Sequence, residues 1–279
     1  MITRIKEILK KNPKIETIFR YISYPIFLIQ YLNSNISACF RKYGIYKSPE
    51  YQNIRKLKNT HIGERCFIVA TGPSLTFDDL NLIKNEFCFG MNSGVLAFDK
   101  TSWRPSIYGV QDEYVYKRLE TDIKVASKDS LTGRVYVSEN LQNSFKVPVA
   151  YNIFPLHYLD HKMPHKNGFG KVKLSDDCYV TIYDGYSIIF SLLQIAIYMG
   201  FKEIYLLGCD CNYQLPKSHF IDYGHKDPHA SIMGDKIIYF HGGFKKFADK
   251  KGVKVVNCTR GGMLEVYPRS SLEQVINQN

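Results

Sequence analysis

The densest set of groups that could carry out acid–base chemistry lies in residues 210–229, which read DCNYQLPKSHFIDYGHKDPH. Histidine titrates near neutral pH, so it is the natural general base for an enzyme that works at neutral pH. The hydroxyl of Tyr213 or of Tyr223 could donate a hydrogen bond to a leaving phosphate. We therefore predict that one histidine of this segment removes a proton during a reaction, with one of these tyrosines nearby; the candidate bases are His219, His225 and His229.

A metal site and a plain surface loop are the alternative interpretations of this segment. His225 and His229 stand four residues apart, as zinc ligands on a helix often do, but Pro228 lies between them. The sequence also has no Asp-x-Asp pair after a strand, which a metal-dependent sugar-nucleotide transferase usually carries. We expect no bound metal, and no cofactor beyond a nucleotide-linked substrate.

A second set of polar groups follows the ends of short apolar runs. The set consists of Gly72, Pro73, Ser74, Asn92, Gln111, Asp112, Asp210, Thr259, Arg260 and Gly261. Glycine allows a ligand close to the backbone, and a helix that starts after such a turn presents free N–H groups to phosphate. The first turn is neither a Walker A loop nor a GxGxxG motif. For these turns the structural alternative is a tight turn followed by a helix cap.

The elements that must position these groups alternate between strands and helices. The predicted strands are 65–70, 87–91, 106–110, 134–138, 203–207 and 253–257, and the clearest helices begin near Thr76 or span 184–199 and 236–251. This alternation predicts an α/β fold with a Rossmann-like, mostly parallel sheet flanked by helices. Ligands bind such sheets at the carboxyl ends of the strands. Residues 138–184 are irregular and are predicted to form an insertion or lid.

The positive charge of the chain is concentrated at its N-terminus. The net charge is +11, of which residues 1–60 carry +9 and the remainder only +2. Because residues 61–279 are nearly neutral, we do not expect this part of the chain to bind nucleic acid, which requires a basic surface. We predict a basic, apolar, helical arm over residues 1–58 and a catalytic domain over residues 59–279.

Residues 1–46 of the arm are expected to make peripheral contact with a membrane. The apolar stretch 21–32 has about twelve residues, fewer than the roughly 20 that a membrane span needs, and no signal-peptidase site follows it. Mixed basic and apolar residues favour attachment to anionic lipid, here at the inner face of the membrane in a cytoplasmic protein. The alternative is a helical hairpin packed on the body or on a second subunit. Seven cysteines without a CxxC pair are typical of a reducing compartment.

Five blocks of the sequence together resemble the DUF115 family: CFIVATGPSL, FGMNSGVLAF, YSIIFSLLQIAIYMGFKEIYLLGCD, SHF and VKVVNCTRGGMLEVYPR. That family includes the Maf flagellin glycosyltransferases and an archaeal pterin pyrophosphokinase branch. The order of the blocks is also similar to bacterial family-42 sialyltransferases. The resemblance covers about residues 60–270 and implies a variant of the GT-A glycosyltransferase fold with a single Rossmann-type domain.

The likeness to sialyltransferases implies a metal-independent, inverting glycosyltransferase. Its donor would be a CMP-activated acidic sugar, nonulosonic or Kdo-type, and its acceptor a cell-surface glycan or lipid-linked glycan. The implied donor-site residues are Gly72, Ser74, Asn92, Gln111 or Asp112, and Ser187. By the same resemblance, Tyr213 steadies the leaving phosphate and His219 is the preferred base.

Two other functions remain open at the level of the sequence. An ATP-dependent pyrophosphokinase of the pterin branch would need Mg²⁺ held by carboxylates such as Asp112 and Asp210. The second open function is that of a non-catalytic protein at the membrane, either a nucleotide-sugar-binding protein or a scaffold. The basic arm favours the glycosyltransferase, because lipid-linked and cell-surface acceptors reside at membranes.

Overall fold

The computed structural model describes residues 13–160, 169–213, 219–224 and 230–277. The chain divides into two compact units, Met1–Lys47 and Ser48–Asn279. The sequence-based boundary, after residue 58, lies eleven residues further on. Residues 48–58 belong to the second unit because Tyr51 and Ile54 are buried in its hydrophobic core.

In the first unit, the described part contains one continuous helix, α1 (Pro13–Lys42), with Pro25 inside it. It is a single helix over this range and not the hairpin considered as an alternative. Four of its exposed apolar side chains recur at intervals of three and four residues and so form a stripe: Ile29, Leu32, Ile36 and Phe40. Among the described helices, none combines the length and the apolar character needed to cross a bilayer.

The second unit is built on a seven-stranded sheet. Its strands are β1 (Arg65–Val69), β2 (Cys88–Met91), β3 (Ile107–Val110), β4 (Val135–Ser138), β5 (Asn152–Phe154), β8 (Glu203–Leu207) and β9 (Lys254–Asn257). Two further strands, β6 (Leu156–His157) and β7 (Ile182–Tyr183), form a separate parallel pair. The order in the large sheet is β5-β4-β3-β2-β1-β8-β9, and every neighbouring pair is parallel. The predicted α/β fold with a Rossmann-like parallel sheet is confirmed.

Helices flank this sheet. They are α2 (Gln52–Lys56), α3 (Phe77–Leu82), α4 (Glu113–Lys128), α5 (Glu139–Ser144), α6 (Ile188–Met199), α7 (Ala230–Lys250) and α8 (Leu272–Ile276), with 3₁₀ turns at Pro49–Tyr51 and Asn92–Ala97. Eleven of the twelve residues of α6 are buried. A Cβ on Gly109 of β3 would lie 2.9 Å from side-chain atoms of Ile188 and Leu192, so glycine lets α6 pack directly on the sheet.

Two element boundaries differ from the sequence-based expectation. Helix α6 begins at Ile188 and not at 184, because Ser187 caps it and Tyr186 has a φ of +71°, which no α-helix accommodates. Helix α7 begins at Ala230, six residues before the predicted start. The predicted C-cap is confirmed, since Gly200 ends α6 in the left-handed conformation at φ +100°.

Part of the segment predicted as an insertion, residues 138–184, belongs to the main sheet. Strand β5 pairs in register with β4, Ile153 lying beside Val137. The Asn152 side chain supports this edge by donating to the Gly133 carbonyl oxygen at 2.8 Å. Residues 161–168 of the segment lie outside the described residues.

Candidate functional site

The candidate site lies where the strand order reverses. Strand β1 pairs with β2 on one side and with β8 on the other. A crevice forms at such a point because the loops after the two central strands leave in opposite directions. The turns after β1 and β8 meet there, and the Ser74 hydroxyl donates to Oδ2 of Asp210 at 2.8 Å.

The Asp210 side chain occupies the space beside Gly72, in the turn after β1. A Cβ on Gly72 would lie 2.0 Å from Asp210 Oδ2 and 2.5 Å from the Gly208 carbonyl oxygen. Gly262 closes the other side, since its Cβ would lie 2.7 Å from the Asp210 carbonyl oxygen. Burial raises the pKa of Asp210, and hydrogen bonds from Ser74 oppose that rise. The two turns are therefore interlocked around one partly desolvated carboxyl group.

Two adjoining cavities open at this end of the sheet. The larger has a volume of about 640 Å³ and extends from Asn92 past the N-terminal ends of α4 and α6. The smaller has a volume of about 90 Å³ and lies beneath the turns after β1 and β8. Five residues line both cavities and form the wall between them: Asn92, Ser187, Tyr213, His219 and Ile237.

Most of the residues singled out from the sequence line these cavities. The shared wall contains Asn92, Ser187, Tyr213 and His219; the larger cavity adds Gln111 and Asp112, and the smaller adds Gly72 and Asp210. The lining of neither cavity includes Pro73, Ser74, Thr259 or Gly261. The other two candidate bases, His225 and His229, lie outside the described residues.

Asn92 projects an unsatisfied acceptor at the shared wall. Its backbone is in the left-handed region at φ +46°, which asparagine tolerates better than most residues. Its carbonyl oxygen accepts the Tyr108 hydroxyl. Its side-chain Oδ1 is buried and has no hydrogen-bond partner among the described residues.

Gln111 positions a carboxylate that the sequence analysis missed. Its Nε2 donates to Asp184 Oδ1 at 2.9 Å, and its Oε1 accepts from the Ser191 hydroxyl at 2.7 Å. Asp184 follows β7 and lines the larger cavity. The Asp184-Gly185 pair is a turn signal that could have revealed this strand end, but the segment was assigned to a helix.

Two of the predicted donor-site residues also cap helices. Asp112 Oδ1 accepts the Val115 N–H at 2.9 Å at the start of α4. The Ser187 hydroxyl accepts the Ile189 N–H at 3.4 Å at the start of α6. Both caps therefore place a polar side chain and a helix N-terminus at the larger cavity, where the positive end of each helix favours an anion.

The loop after β9 is held by hydrogen bonds to other segments of the protein. The Arg260 guanidinium donates to both carboxylate oxygens of Asp79, at 2.7 and 2.5 Å. The Thr259 hydroxyl accepts the Cys209 N–H at 2.9 Å, and the Gly261 carbonyl accepts from Arg269 at 2.8 Å. The Arg260 guanidinium and the Gly261 carbonyl oxygen are therefore already bonded within the protein, and their contact with phosphate stays a prediction.

Five tyrosines line the larger cavity, of which the sequence analysis singled out only Tyr213 and Tyr223. They are Tyr114, Tyr158, Tyr186, Tyr213 and Tyr223. Burial and the nearby Asp112 carboxylate raise the pKa of Tyr223, and the charge of Arg118 opposes them. A second cation, Lys236 Nζ, lies 4.8 Å from the centre of the Tyr186 ring. Aromatic faces with hydroxyl tips suit a polar, ring-shaped ligand.

Within the described ranges, no group of three or more His, Cys, Asp or Glu side chains is arranged to hold a metal ion.

The protein is an α/β protein with a crevice at the switch point of a parallel sheet. Residues 41–215 match the family described as 6-hydroxymethylpterin diphosphokinase MptE-like. Because this match covers more than half of the chain, the protein belongs to the MptE-like family, which confirms the resemblance to the DUF115 family drawn from the sequence blocks.

A solved structure and the curated proteins complete the comparison. A MAF glycosyltransferase from Magnetospirillum magneticum AMB-1 is similar over 80% of this chain, at 16% identity and a TM-score of 0.44. The chain spans 37% of the length of that protein. No curated protein matches the sequence.

Proposed function

We propose that the protein is a glycosyltransferase that moves an acidic sugar from a CMP-activated donor to a hydroxyl of a cell-surface or lipid-linked glycan, without a metal. The observation that carries this proposal is the wall between the two cavities. His219 and Tyr213 both line this wall, so a proton acceptor and a hydroxyl donor stand at one place. Displacement at a sugar carbon requires both groups at the reacting atoms.

The larger cavity has the dimensions and the chemistry for a nucleotide-linked sugar. Its volume of about 640 Å³ lies within the usual range for small-molecule sites, about 300–1,000 Å³. Its tyrosines can pack on sugar or base rings, and Asn140 and Asn143 add amide donors and acceptors. The N-terminus of α6 offers a positive dipole to the donor phosphate.

In the proposed mechanism the acceptor oxygen attacks the anomeric carbon as the bond from that carbon to the phosphate oxygen breaks. The His219 imidazole takes the proton of the acceptor hydroxyl, and the electron pair of the broken bond leaves with CMP. The Tyr213 hydroxyl donates to the departing phosphate and stabilises its charge. The sugar is transferred with inversion, because attack and departure occur on opposite faces.

A diphosphokinase is the second candidate, supported by the name of the family and by the carboxylates of the larger cavity. Asp112, Glu113 and Asp184 all line that cavity. One or two carboxylates together with substrate phosphates are the usual ligands of Mg²⁺. In this alternative, a pterin alcohol would receive a diphosphate group from ATP.

A nucleotide panel separates the two candidates. We expect CMP and CDP to raise the melting temperature without added metal, because a ligand at one hundred times its Kd stabilises the folded state by about 2.7 kcal/mol. For a chain of this length, that corresponds to roughly 5–10 °C. Differential scanning fluorimetry with CMP, CDP, UDP, GDP and ATP, each with and without Mg²⁺, measures this. A shift with ATP and Mg²⁺ alone would overturn the glycosyltransferase proposal and favour the diphosphokinase.

We also propose that the arm binds an anionic membrane surface through the apolar stripe of α1. The double substitution Ile29→Glu/Ile36→Glu places two carboxylates on that stripe and is expected to reduce co-sedimentation with phosphatidylglycerol vesicles at least tenfold. Val125→Glu/Val149→Glu is the matched control, because both valines are exposed on the second unit. Unchanged sedimentation of the α1 variant would refute the proposal. Loss of a dimer in the same variant, seen by light scattering, would assign the stripe to a second subunit.

A further inference from the structure

The smaller cavity contains a buried histidine that has no role in the mechanism above. His241 lies on α7 one turn after Ile237, a residue of the shared wall. Its side chain is fully buried, and its ring packs 4.8 Å from Phe190 and 5.5 Å from Tyr267, centre to centre. Its Nε2 has no hydrogen-bond partner among the described residues.

Hydrogen bonds to Tyr267 fix the protonation of this histidine. The Tyr267 hydroxyl donates its only hydrogen to the His241 backbone carbonyl at 3.2 Å. The same hydroxyl oxygen lies 2.9 Å from His241 Nδ1, and the tautomer with hydrogen on Nδ1 allows both bonds to form, since the imidazole then donates in the second. Burial also lowers the pKa of His241 to about 3, which keeps the ring neutral. In the tautomer that satisfies both bonds to Tyr267, Nε2 carries a lone pair and accepts a hydrogen bond.

Two such acceptors belong to residues that line this cavity. Asn92 Oδ1 is the second, and it is likewise buried and unpartnered among the described residues. The Asp210 carboxyl group, in the same lining, adds further acceptor oxygens. Buried polar atoms without partners are rare in folded proteins because each costs stability, so a pair at one cavity indicates a ligand that supplies the missing donors.

We propose that the smaller cavity receives an N–H or O–H donor edge of the substrate nucleotide, held by His241 Nε2 and Asn92 Oδ1. The proposal rests on the proposed nucleotide-dependent function and specifies which edge of the nucleotide is read. Two edges have this chemistry: the ribose hydroxyls and the exocyclic amine of the base. The volume of about 90 Å³ admits such an edge and not a whole nucleotide, so the remainder lies in the larger cavity.

The test compares nucleotides that lack one donor at a time. For the wild-type protein, we expect CMP to bind at least tenfold more tightly than either 2′-deoxy-CMP, if the ribose is read, or UMP, if the amine is read. His241→Phe keeps the ring and removes Nε2. Asn92→Gly removes Oδ1 and accommodates the positive φ without strain. In each variant, CMP is expected to bind no more than about threefold more tightly than the analogue that lacks the donor. The affinity for that analogue itself should stay near the wild-type value.

Isothermal titration calorimetry gives these affinities, and the unfolding temperature of each free variant shows whether it is folded. Should ATP with Mg²⁺ replace CMP as the stabilising nucleotide, the proposed glycosyl transfer fails but the inference is still tested, with ATP, 2′-deoxy-ATP and ITP. Wild-type protein that binds all three nucleotides of a series equally would overturn the inference, leaving the cavity to water. The inference would also be overturned if both variants kept the wild-type preference for the nucleotide over its donor-lacking analogue.

Discussion

Replacing His219 with glutamine is expected to lower turnover by about 10²–10⁴-fold, the usual contribution of a positioned general base. Glutamine retains hydrogen-bonding capacity at the wall between the cavities but cannot take up the proton of the acceptor hydroxyl. Nucleotide affinity should therefore stay within about threefold of wild type. Release of CMP under saturating donor and acceptor, followed by chromatography, measures the rate, and calorimetry measures the affinity.

Three further histidine variants make this test specific. His61→Gln is the control, because His61 precedes β1 and so lies at the opposite end of the sheet, where its Nδ1 is 2.9 Å from Glu64. It should keep wild-type turnover. His225→Gln and His229→Gln test the other candidate bases. Full activity in His219→Gln, together with a loss in either of these two, would transfer the role of base to that residue.

Replacing Gly72 with alanine is expected to destabilise the protein and weaken nucleotide binding together. The new methyl group would overlap Asp210 Oδ2 and the Gly208 carbonyl oxygen, and the second of these is backbone that cannot rotate away. Overpacking of this kind costs about 1–3 kcal/mol. The displaced turn would also intrude on the smaller cavity. Urea unfolding measures the loss of stability, and calorimetry with CMP measures the loss of affinity.

Gly94→Ala is the matched control for this substitution. Gly94 also follows a strand of the sheet, but a Cβ there meets no atom within 4 Å. Its unfolding free energy should stay the same or rise by up to about 1 kcal/mol, since alanine restricts the unfolded chain. Equal stability of the two variants would show that the turn after β1 yields easily and that its interlocking with Asp210 is weak.

The sheet was largely predictable because its strands are buried on both faces. Strands such as β1 and β8 consequently appear as unbroken apolar runs, and α6, buried almost all round, stands out in the same way. Strand β5 was missed because it has only three residues, and its pairing with β4 depends on contacts that no local pattern records.

The strand-end rule located much of the candidate site, because parallel strands bring their carboxyl ends to one edge. It could not show which side chains face the cavities. Ser74 and Arg260 look like ligand-binding groups in the sequence, yet they bind carboxylates that lie 136 and 181 residues away along the chain. His241 was missed for the opposite reason, since a histidine in an amphipathic helix gives no sign that one ring nitrogen is unpaired.

The position of β1 between β2 and β8 has a consequence for biosynthesis. Its pairing with β2 needs only nearby residues, but its other edge stays open until β8 has been made. Ser74 and Asp210 are 136 residues apart, which at about 5–20 residues per second corresponds to roughly 7–27 s of translation. The newly made chain therefore exposes the edge of its central strand for that interval, and the crevice is completed only when residues up to His241 have left the ribosome.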